Sequence, residues 1–246
     1  MAELYEEKAK NELMRWQRKL AKNGFFAKKY AKHLQTKINE RIPEKIHHLF
    51  TTSVKKMVYA TLVGSEYTTT TIPLEEASLQ QREERLDEKI KFYKKTAAIE
   101  GAGTGAGGIL LGMVDFPLLL SIKMKFLFEA ASLYGFDVKD YRERLFILYL
   151  FQLAFSSAEK KKQVYQTIKN WDEIKEQLPE KDVYLEEIDW KAFQLEYRDH
   201  IDLVKMLQLI PGFGAIVGAF ANYHFLEVLS ETAKNGYRMR IFNSGK

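Results

Sequence analysis

Hydrophobic residues recur at helical spacing along most of the chain, with charged residues between them. In residues 3–22, Leu4, Leu13, Trp16 and Leu20 fall near one helix face, and Asn23-Gly24 follows as a stop signal. Long windows with this period predict amphipathic helices. The pattern predicts further helices over residues 25–41, 45–63, 73–98, 141–155, 158–177, 185–210 and 213–235, together with an apolar stretch at 100–135.

Proline and glycine mark several of the predicted helix ends. Pro73 is expected to open the fourth helix, since the first turn of a helix does not need the missing N–H. Pro179 is expected to end the helix before it, and Asn235-Gly236 to close the last one. Convincing alternation of polar and apolar residues is missing throughout. The sequence therefore predicts an all-α, multi-helix bundle of about nine helices.

Two long apolar segments carry glycines four residues apart. Gly108 and Gly112 form one pair, and Gly214 and Gly218 form the other. Small residues at this spacing remove the side chains from one stripe, so that another helix can approach closely. Glycine costs about 1 kcal/mol relative to alanine inside a helix, which favours a packing requirement. We predict a helix-packing or partner-binding role for these residues and for two glycines upstream, Gly101 and Gly105.

A candidate polar site accompanies the glycines. Asp115 precedes Phe116-Pro117, so it is expected to cap a new helix or to mark a kink. The alternative is functional, because a carboxylate in an apolar segment is costly unless it is paired. In that interpretation Asp115, Asn222 and His224 meet in a pocket.

The glycine-rich segments have borderline membrane character. Residues 101–122 are long enough to span a bilayer, but Asp115 lies in their interior and their first half is glycine, alanine and threonine. Residues 207–225 are interrupted by Pro211, Asn222 and His224. Helices packed at the centre of the bundle, or a shallowly inserting hairpin, are favoured over two spans. Integral membrane association stays open as the alternative.

Composition removes several classes of function. The chain of 246 residues has no cysteine, which excludes disulfides, thiolate catalysis and cysteine-ligated metals. Its net charge of +5 is too small to argue for nucleic acid. Residues 103–108 satisfy G-x-G-x-x-G, but the segment before them is helical and not a strand, so no nucleotide cofactor is expected. The five histidines show no metal-site spacing, and no catalytic residues are assigned.

The blocks GAGTGAGGILLGMVDFPLLL (101–120), YGFD (134–137) and IPGFGAIVGAFANYHF (210–225) resemble the EcsC family. The matching positions are Asp115, Pro117, Tyr134, Gly135, Ile210, Pro211, Gly214 and Asn222. The resemblance implies a gene neighbourhood shared with an ABC exporter and supplies no established catalytic residues. It also implies one helical domain over residues 1–246, with residues 1–72 as N-terminal helices and 73–246 containing the glycine-rich helices.

These observations give one functional hypothesis and one alternative. The first is a non-enzymatic accessory protein, cytoplasmic and peripheral to the inner face of the membrane, with ABC transporter subunits, the membrane surface or a second copy of the chain as partners. The alternative is an enzyme or a lipid- or small-molecule-binding protein with its pocket near Asp115 and Asn222.

Overall fold

The computed structural model of the chain describes residues 2–26, 44–64, 73–74, 76–105, 116–201 and 215–244. Helices account for nearly all of these residues, and Ser156 and Ile201 form an isolated antiparallel β-bridge. The helices are α1 (Ala2–Phe26), α2 (Glu44–Leu62), α3 (Leu79–Gly105), α4 (Phe116–Leu133), α5 (Tyr141–Phe155), α6 (Ala158–Lys169), α7 (Trp171–Gln177), α8 (Lys181–Glu187), α9 (Trp190–His200) and α10 (Ala215–Ser244). The predicted all-α class is confirmed.

The two longest helices, α3 and α10, pack against each other more extensively than any other pair in the described part of the chain. Lys94 pairs with Glu227 and Asp87 pairs with Lys234, at 3.1 and 3.0 Å. Asp87 precedes Lys94 on α3, whereas its partner Lys234 follows Glu227 on α10. The two helices are antiparallel.

Helix α4 is antiparallel to α3 on another side. The Arg82 guanidinium near the start of α3 donates to the carbonyl of Tyr134, just beyond α4, at 2.6 Å. Further along α3, the Tyr93 hydroxyl donates to Glu129 at 2.9 Å. The carboxyl end of α3 and the amino ends of α4 and α10 consequently lie at the same end of the bundle.

The hydrophobic core is one cluster that draws on helices from α1 to α10. Helices α4 and α5 supply much of it, because apolar residues lie on most of their circumference. A helix that is apolar nearly all round is stable only when it is surrounded by other elements. Aromatic side chains are the largest members, including Trp171, Phe126, Phe146, Phe151 and Phe155.

Several predicted helix ends are shifted in the structure. Helix α3 begins at Leu79 and not at Pro73. Ser78 and Gln81 form a capping box there: the Gln81 amide donates to Ser78 Oγ at 3.3 Å, and the Ser78 amide donates to Gln81 Oε1 at 3.0 Å. The predicted helix 158–177 is broken at Asn170. The predicted helix 185–210 is likewise divided, and the side chain of Asp189 caps α9.

The last helix does not stop at Asn235-Gly236 but continues to Ser244. Gly236 is buried inside it, and a Cβ added there would lie 2.3 Å from Cδ2 of Leu150 on α5. Glycine at this position permits close approach of α5 to α10. The dipeptide resembles a helix stop in sequence because the same absence of a side chain serves both purposes.

No described helix combines the length and the apolar character needed to cross a membrane. The segments predicted to be borderline, 101–122 and 207–225, lie partly outside the described residues, which end at Gly105 and Ile201 and resume at Phe116 and Ala215.

We predict that Gly236→Ala destabilises the protein even though alanine is the better helix former by about 1 kcal/mol. The new methyl group would overlap the buried Leu150 side chain, and overpacking of this kind typically costs about 1–3 kcal/mol. Chemical denaturation monitored by circular dichroism would measure the change. In a Leu150→Ala background the same glycine substitution should be neutral or stabilising; an equal penalty in both backgrounds would contradict the steric explanation.

Candidate functional site

Glu83 of α3 is fully buried and accepts hydrogen bonds from three other elements. The Arg238 guanidinium of α10 binds both carboxylate oxygens, with Nε at 2.6 Å from Oε1 and Nη2 at 2.7 Å from Oε2. The Tyr134 hydroxyl donates to Oε1 at 3.0 Å, and the Tyr5 hydroxyl of α1 donates to Oε2 at 2.8 Å. This single carboxylate joins α1, α3, α10 and the turn after α4. We call these four residues the Glu83 network.

Local sequence places Glu83 in the interior. It lies on the α3 face that also carries Leu79, Leu86, Ile90 and Tyr93, with spacings of three and four residues. Its position on that apolar face directs a charged side chain into the core, where it requires partners. Arg238 is almost as buried as Glu83. It also forms an ion pair with a second carboxylate, with Nη2 at 2.9 Å from Oε2 of Glu12.

A second buried carboxylate, Glu143 of α5, has a similar arrangement. Arg240 of α10 binds both of its oxygens, with Nη2 at 2.9 Å from Oε1, and Lys175 of α7 binds Oε1 at 2.7 Å. The Arg240 guanidinium also lies over the rings of Phe136 and Phe146, at 3.8 and 4.7 Å from their centroids. Contact with a ring face stabilises a cation that is held away from water.

Tyr237 lies between the two charged clusters on α10. Its ring stacks on Tyr134 with a centroid distance of 5.0 Å and on Phe136 with a distance of 5.3 Å. The ring is fully buried, and its hydroxyl has no hydrogen-bond partner among the described residues. The aromatic stack therefore connects the Glu83 network with the cluster around Glu143.

Both buried carboxyls have a pKa below the ordinary glutamate value. Burial by itself raises the pKa of Glu83, but the hydrogen bonds and charge of Arg238, with smaller contributions from Lys234 and Tyr5, outweigh it. For Glu143 burial is again the largest single influence and raises the pKa. The hydrogen bonds and charges of Arg240 and Lys175 together lower the pKa by more than burial raises it. Both side chains are therefore carboxylates at neutral pH.

A groove of about 450 Å³ lies between α1, α3 and α10 beside the Glu83 network. Trp16 and Ile90 give it an apolar wall, and Arg15 and Lys19 place positive charge at its rim. Its lining also includes Asn235, a buried residue whose Oδ1 has no hydrogen-bond partner in the described part of the chain. The groove combines apolar surface with paired charges. Among the described residues, no cluster of histidine or carboxylate side chains could hold a metal ion.

Most of the predicted glycine and polar sites fall where the structure gives no side-chain surroundings. Gly108, Gly112, Asp115 and Gly214 lie outside the described residues. Four further predicted residues have a helical backbone in α3 or α10, but the surroundings of their side-chain positions are not described: Gly101, Gly105, Gly218 and Asn222. Their roles stay predictions.

His224 is the one member of the predicted polar site with a described side chain. It is exposed on α10, and its Nδ1 lies 3.4 Å from Glu227 one turn later. Glu227 also pairs with Lys94 of α3, whose ammonium group lies 4.7 Å from the centroid of the Tyr223 ring. The contacts around His224 are those of a solvated surface between two helices.

The family model described as "EcsC protein family" matches residues 7–242, nearly the whole chain. The chain belongs to the EcsC family. It is 49% identical over 230 residues to "Protein EcsC" of Bacillus subtilis (strain 168), covering 94% of this chain and 93% of that protein. It is also 32% identical over 150 residues to "Uncharacterized protein YdbA" of the same organism, covering 61% of this chain and 54% of that protein. No solved structure matches the chain.

Two residues that carried the EcsC resemblance have clear structural roles. Gly135 has a positive φ of 87° and ends α4. The amide of Phe136 donates to the carbonyl of Ala131, and the Gly135 amide donates to that of Ser132, as in a Schellman motif. Tyr134, adjacent to this turn, donates to Glu83. In this member of the EcsC family the tyrosine-glycine pair thus ends a helix and completes the buried network.

Sequence reasoning did not identify Glu83, Glu143, Arg238 or Arg240. Glu83 lies in a segment rich in charged residues, and the last helix was predicted to end at residue 235, before both arginines. A signal was present in α3, because Glu83 interrupts an apolar stripe. No such signal was available for Arg238 and Arg240, because the predicted helix ended at residue 235.

We predict that Glu83→Gln destabilises the protein by roughly 3–5 kcal/mol, because it removes the charge that compensates the buried Arg238 guanidinium. Urea denaturation would measure the loss. Glu88→Gln, an exposed substitution on the same helix, is the matched control and should change stability by less than about 0.5 kcal/mol. Equal effects of the two substitutions would show that the buried pair contributes nothing.

The lowered pKa values also predict acid sensitivity. A carboxyl whose pKa is lower in the folded state stabilises the fold fully above its unfolded pKa, about 4.3 for glutamate, and the contribution is lost as pH falls through the folded pKa. The melting temperature should therefore drop steeply below about pH 4.3.

Replacing both buried carboxyls, as Glu83→Gln with Glu143→Gln, should make this drop shallower while lowering stability at pH 7. The control is Glu88→Gln with Glu187→Gln, which removes two exposed carboxyls. Thermal unfolding followed by circular dichroism between pH 7 and pH 3 compares the slopes. A control slope that flattens as much as that of the buried pair would contradict the assignment.

Proposed function

We propose that this member of the EcsC family is a non-enzymatic accessory protein that docks at the cytoplasmic face of the membrane, beside an ABC transporter. The observation that supports this proposal best is that both glycine-rich segments join the bundle at one end. The segment between Gly105 and Phe116 connects α3 to α4, and the segment before Ala215 leads into α10. Because α3 is antiparallel to both α4 and α10, these attachment points face the same side.

The composition of these segments supports docking rather than catalysis. Residues 106–114 contain three glycines and no charged residue, and residues 206–214 are also uncharged. Small residues allow helices to approach closely in a membrane environment, where apolar burial alone does not drive association. Two such segments attached to one end of a charged bundle favour docking of that end on a membrane or on a membrane protein.

The opposite end of the bundle is built for rigidity. The Glu83 network and the cluster around Glu143 join helices with buried, charge-assisted hydrogen bonds. These bonds are shorter and stronger than neutral ones. A rigid body of this kind can present the glycine-rich end in a fixed orientation. The alternative of a pocket near Asp115 and Asn222 gains no support from a described contact.

Membrane fractionation of cells that express the full chain tests the proposal. We expect the protein to sediment with membranes, to be released in part by high salt, and to co-purify with ABC transporter subunits after detergent extraction. A protein found wholly in the soluble fraction at low salt would overturn the proposal.

The glycine stripe provides a size-graded test. Gly108→Leu with Gly112→Leu should reduce the membrane-bound fraction severalfold, because the added side chains prevent close approach. Gly108→Ala with Gly112→Ala is the matched control, since both pairs favour helix but alanine adds little bulk. The thermal unfolding of all variants would be compared first, so that a loss of membrane binding is not confused with unfolding. Equal loss in both pairs at unchanged stability would contradict a packing role.

A further inference from the structure

The charged residues are divided unequally between the two ends of the bundle. We define the basic end as residues 91–105 of α3, 116–128 of α4, 158–162 of α6 and 215–227 of α10. The first turn of α6 belongs here because Phe155, at the end of α5, packs on Phe225 of α10 with ring centroids 5.6 Å apart. These ranges contain eight lysines and three glutamates: Lys91, Lys94, Lys95, Lys123, Lys125, Lys160, Lys161, Lys162, Glu100, Glu159 and Glu227. Lys123 is buried and donates to the carbonyl of Leu119, so seven of the lysines are at least partly exposed.

The opposite end is acidic. Helices α7 and α8 lie there, since the Tyr141 hydroxyl at the start of α5 donates to the carbonyl of Pro179 and the Tyr141 ring lies 5.0 Å from that of Tyr184. Residues 172–189 contain eight acidic residues and two lysines: Asp172, Glu173, Glu176, Glu180, Asp182, Glu186, Glu187, Asp189, Lys175 and Lys181. The bundle therefore carries opposite charge at its two ends, although its net charge is small.

Four large apolar side chains are exposed at the basic end; Phe92 on α3 is 61% exposed and lies two turns before Ile99, and the other three lie closer to the end of the bundle. Ile99 on α3 is 62% exposed, Leu118 on α4 is 52% exposed and Tyr223 on α10 is 43% exposed. The antiparallel registers bring these positions to similar heights: Tyr223 is close to the level of Ile99 through the Lys94–Glu227 pair. Large apolar side chains that stay exposed and have lysines nearby are typical of a surface that binds a protein or a membrane.

Two of the exposed apolar residues, Ile99 and Leu118, each have a lysine on the same helix, farther from the end of the bundle. Lys95 precedes Ile99 by four residues and Lys125 follows Leu118 by seven, which at the helical rise corresponds to about 6 Å and about 10 Å. Both lysines are exposed, and neither forms an ion pair with another described residue. Proteins that lie on a membrane bury their apolar face about 5–10 Å into the headgroup boundary, with cations beside the phosphates.

We propose that the basic end binds an anionic phospholipid surface directly, with Ile99, Leu118 and Tyr223 entering the headgroup boundary and Lys95 and Lys125 contacting lipid phosphates. This inference rests on the proposed membrane docking and specifies its partner as lipid. Charge complementarity selects that partner: a cationic surface gains affinity from each lysine near an anionic leaflet. The acidic end is repelled by the same leaflet, so the charge division also sets the orientation of the bundle.

Co-sedimentation of the purified full chain with vesicles tests this inference. We expect binding to vesicles of phosphatidylglycerol and phosphatidylcholine, at least tenfold weaker binding to phosphatidylcholine alone, and weakening as salt is raised from roughly 0.1 M to roughly 0.5 M. Equal binding to both kinds of vesicle, or no binding to either, would overturn it.

Paired substitutions separate the two contributions. Lys95→Glu with Lys125→Glu, and Ile99→Glu with Leu118→Glu, should each weaken binding to anionic vesicles at least tenfold. Lys169→Glu with Lys181→Glu is the control for charge, and Leu4→Glu with Val183→Glu is the control for exposed apolar residues away from the basic end. If the control pairs weaken binding as much as the test pairs do, the inference is wrong.

The vesicle and cell experiments fail in different ways. If the protein sediments with cell membranes but does not bind anionic vesicles, lipid recognition is wrong and docking on a membrane protein remains supported. A chain that does neither would overturn both proposals. Thermal unfolding of each charge-reversal variant establishes that the fold is intact, and a variant that unfolds is replaced by Lys95→Gln with Lys125→Gln or by Ile99→Ser with Leu118→Ser, for which a smaller loss in the same direction is expected.

Discussion

The buried ion pair between Glu83 and Arg238 is the interaction on which the arrangement of this bundle depends. Two charges are removed from water, and such a pair is tolerated only when its geometry is good and its remaining oxygens have donors. Tyr5 and Tyr134 supply those donors. Displacement of α10 by one turn relative to α3 would leave both charges buried without partners, so the pair selects one register even if its net contribution to stability is modest.

That register has consequences at a distance. Since α3 and α10 are antiparallel and aligned at Glu83 and Arg238, the carboxyl end of α3 at Gly105 and the amino end of α10 at Ala215 lie at the same end of the bundle. The second pair, Glu143 with Arg240, fixes α5 and α7 against the last turns of α10. Both buried ion pairs lie at the end of the bundle that is opposite the proposed docking surface. This division is physically reasonable, because a surface that meets a partner needs a stable support.

The charge distribution and the apolar residues at the basic end lead to the same proposal. A net charge of +5 conceals a basic end and an acidic end. Electrostatic attraction would orient the bundle before contact, and exposed residues such as Ile99 and Leu118 would then add apolar burial. The basic end gives a specific surface on which the proposed membrane docking can be tested.

The sequence by itself determined the helical class and the position of several helices, since apolar periodicity is a local property. Tyr141–Phe155 was predicted with its observed limits because Asp140 is a local cap. Only the tertiary structure decided that α10 continues through Gly236, because the reason for that glycine is Leu150, 86 residues away in the chain. It also decided that Glu83 is buried and paired. A carboxylate on a charged helix looks solvated until the helix that carries Arg238 is placed against it.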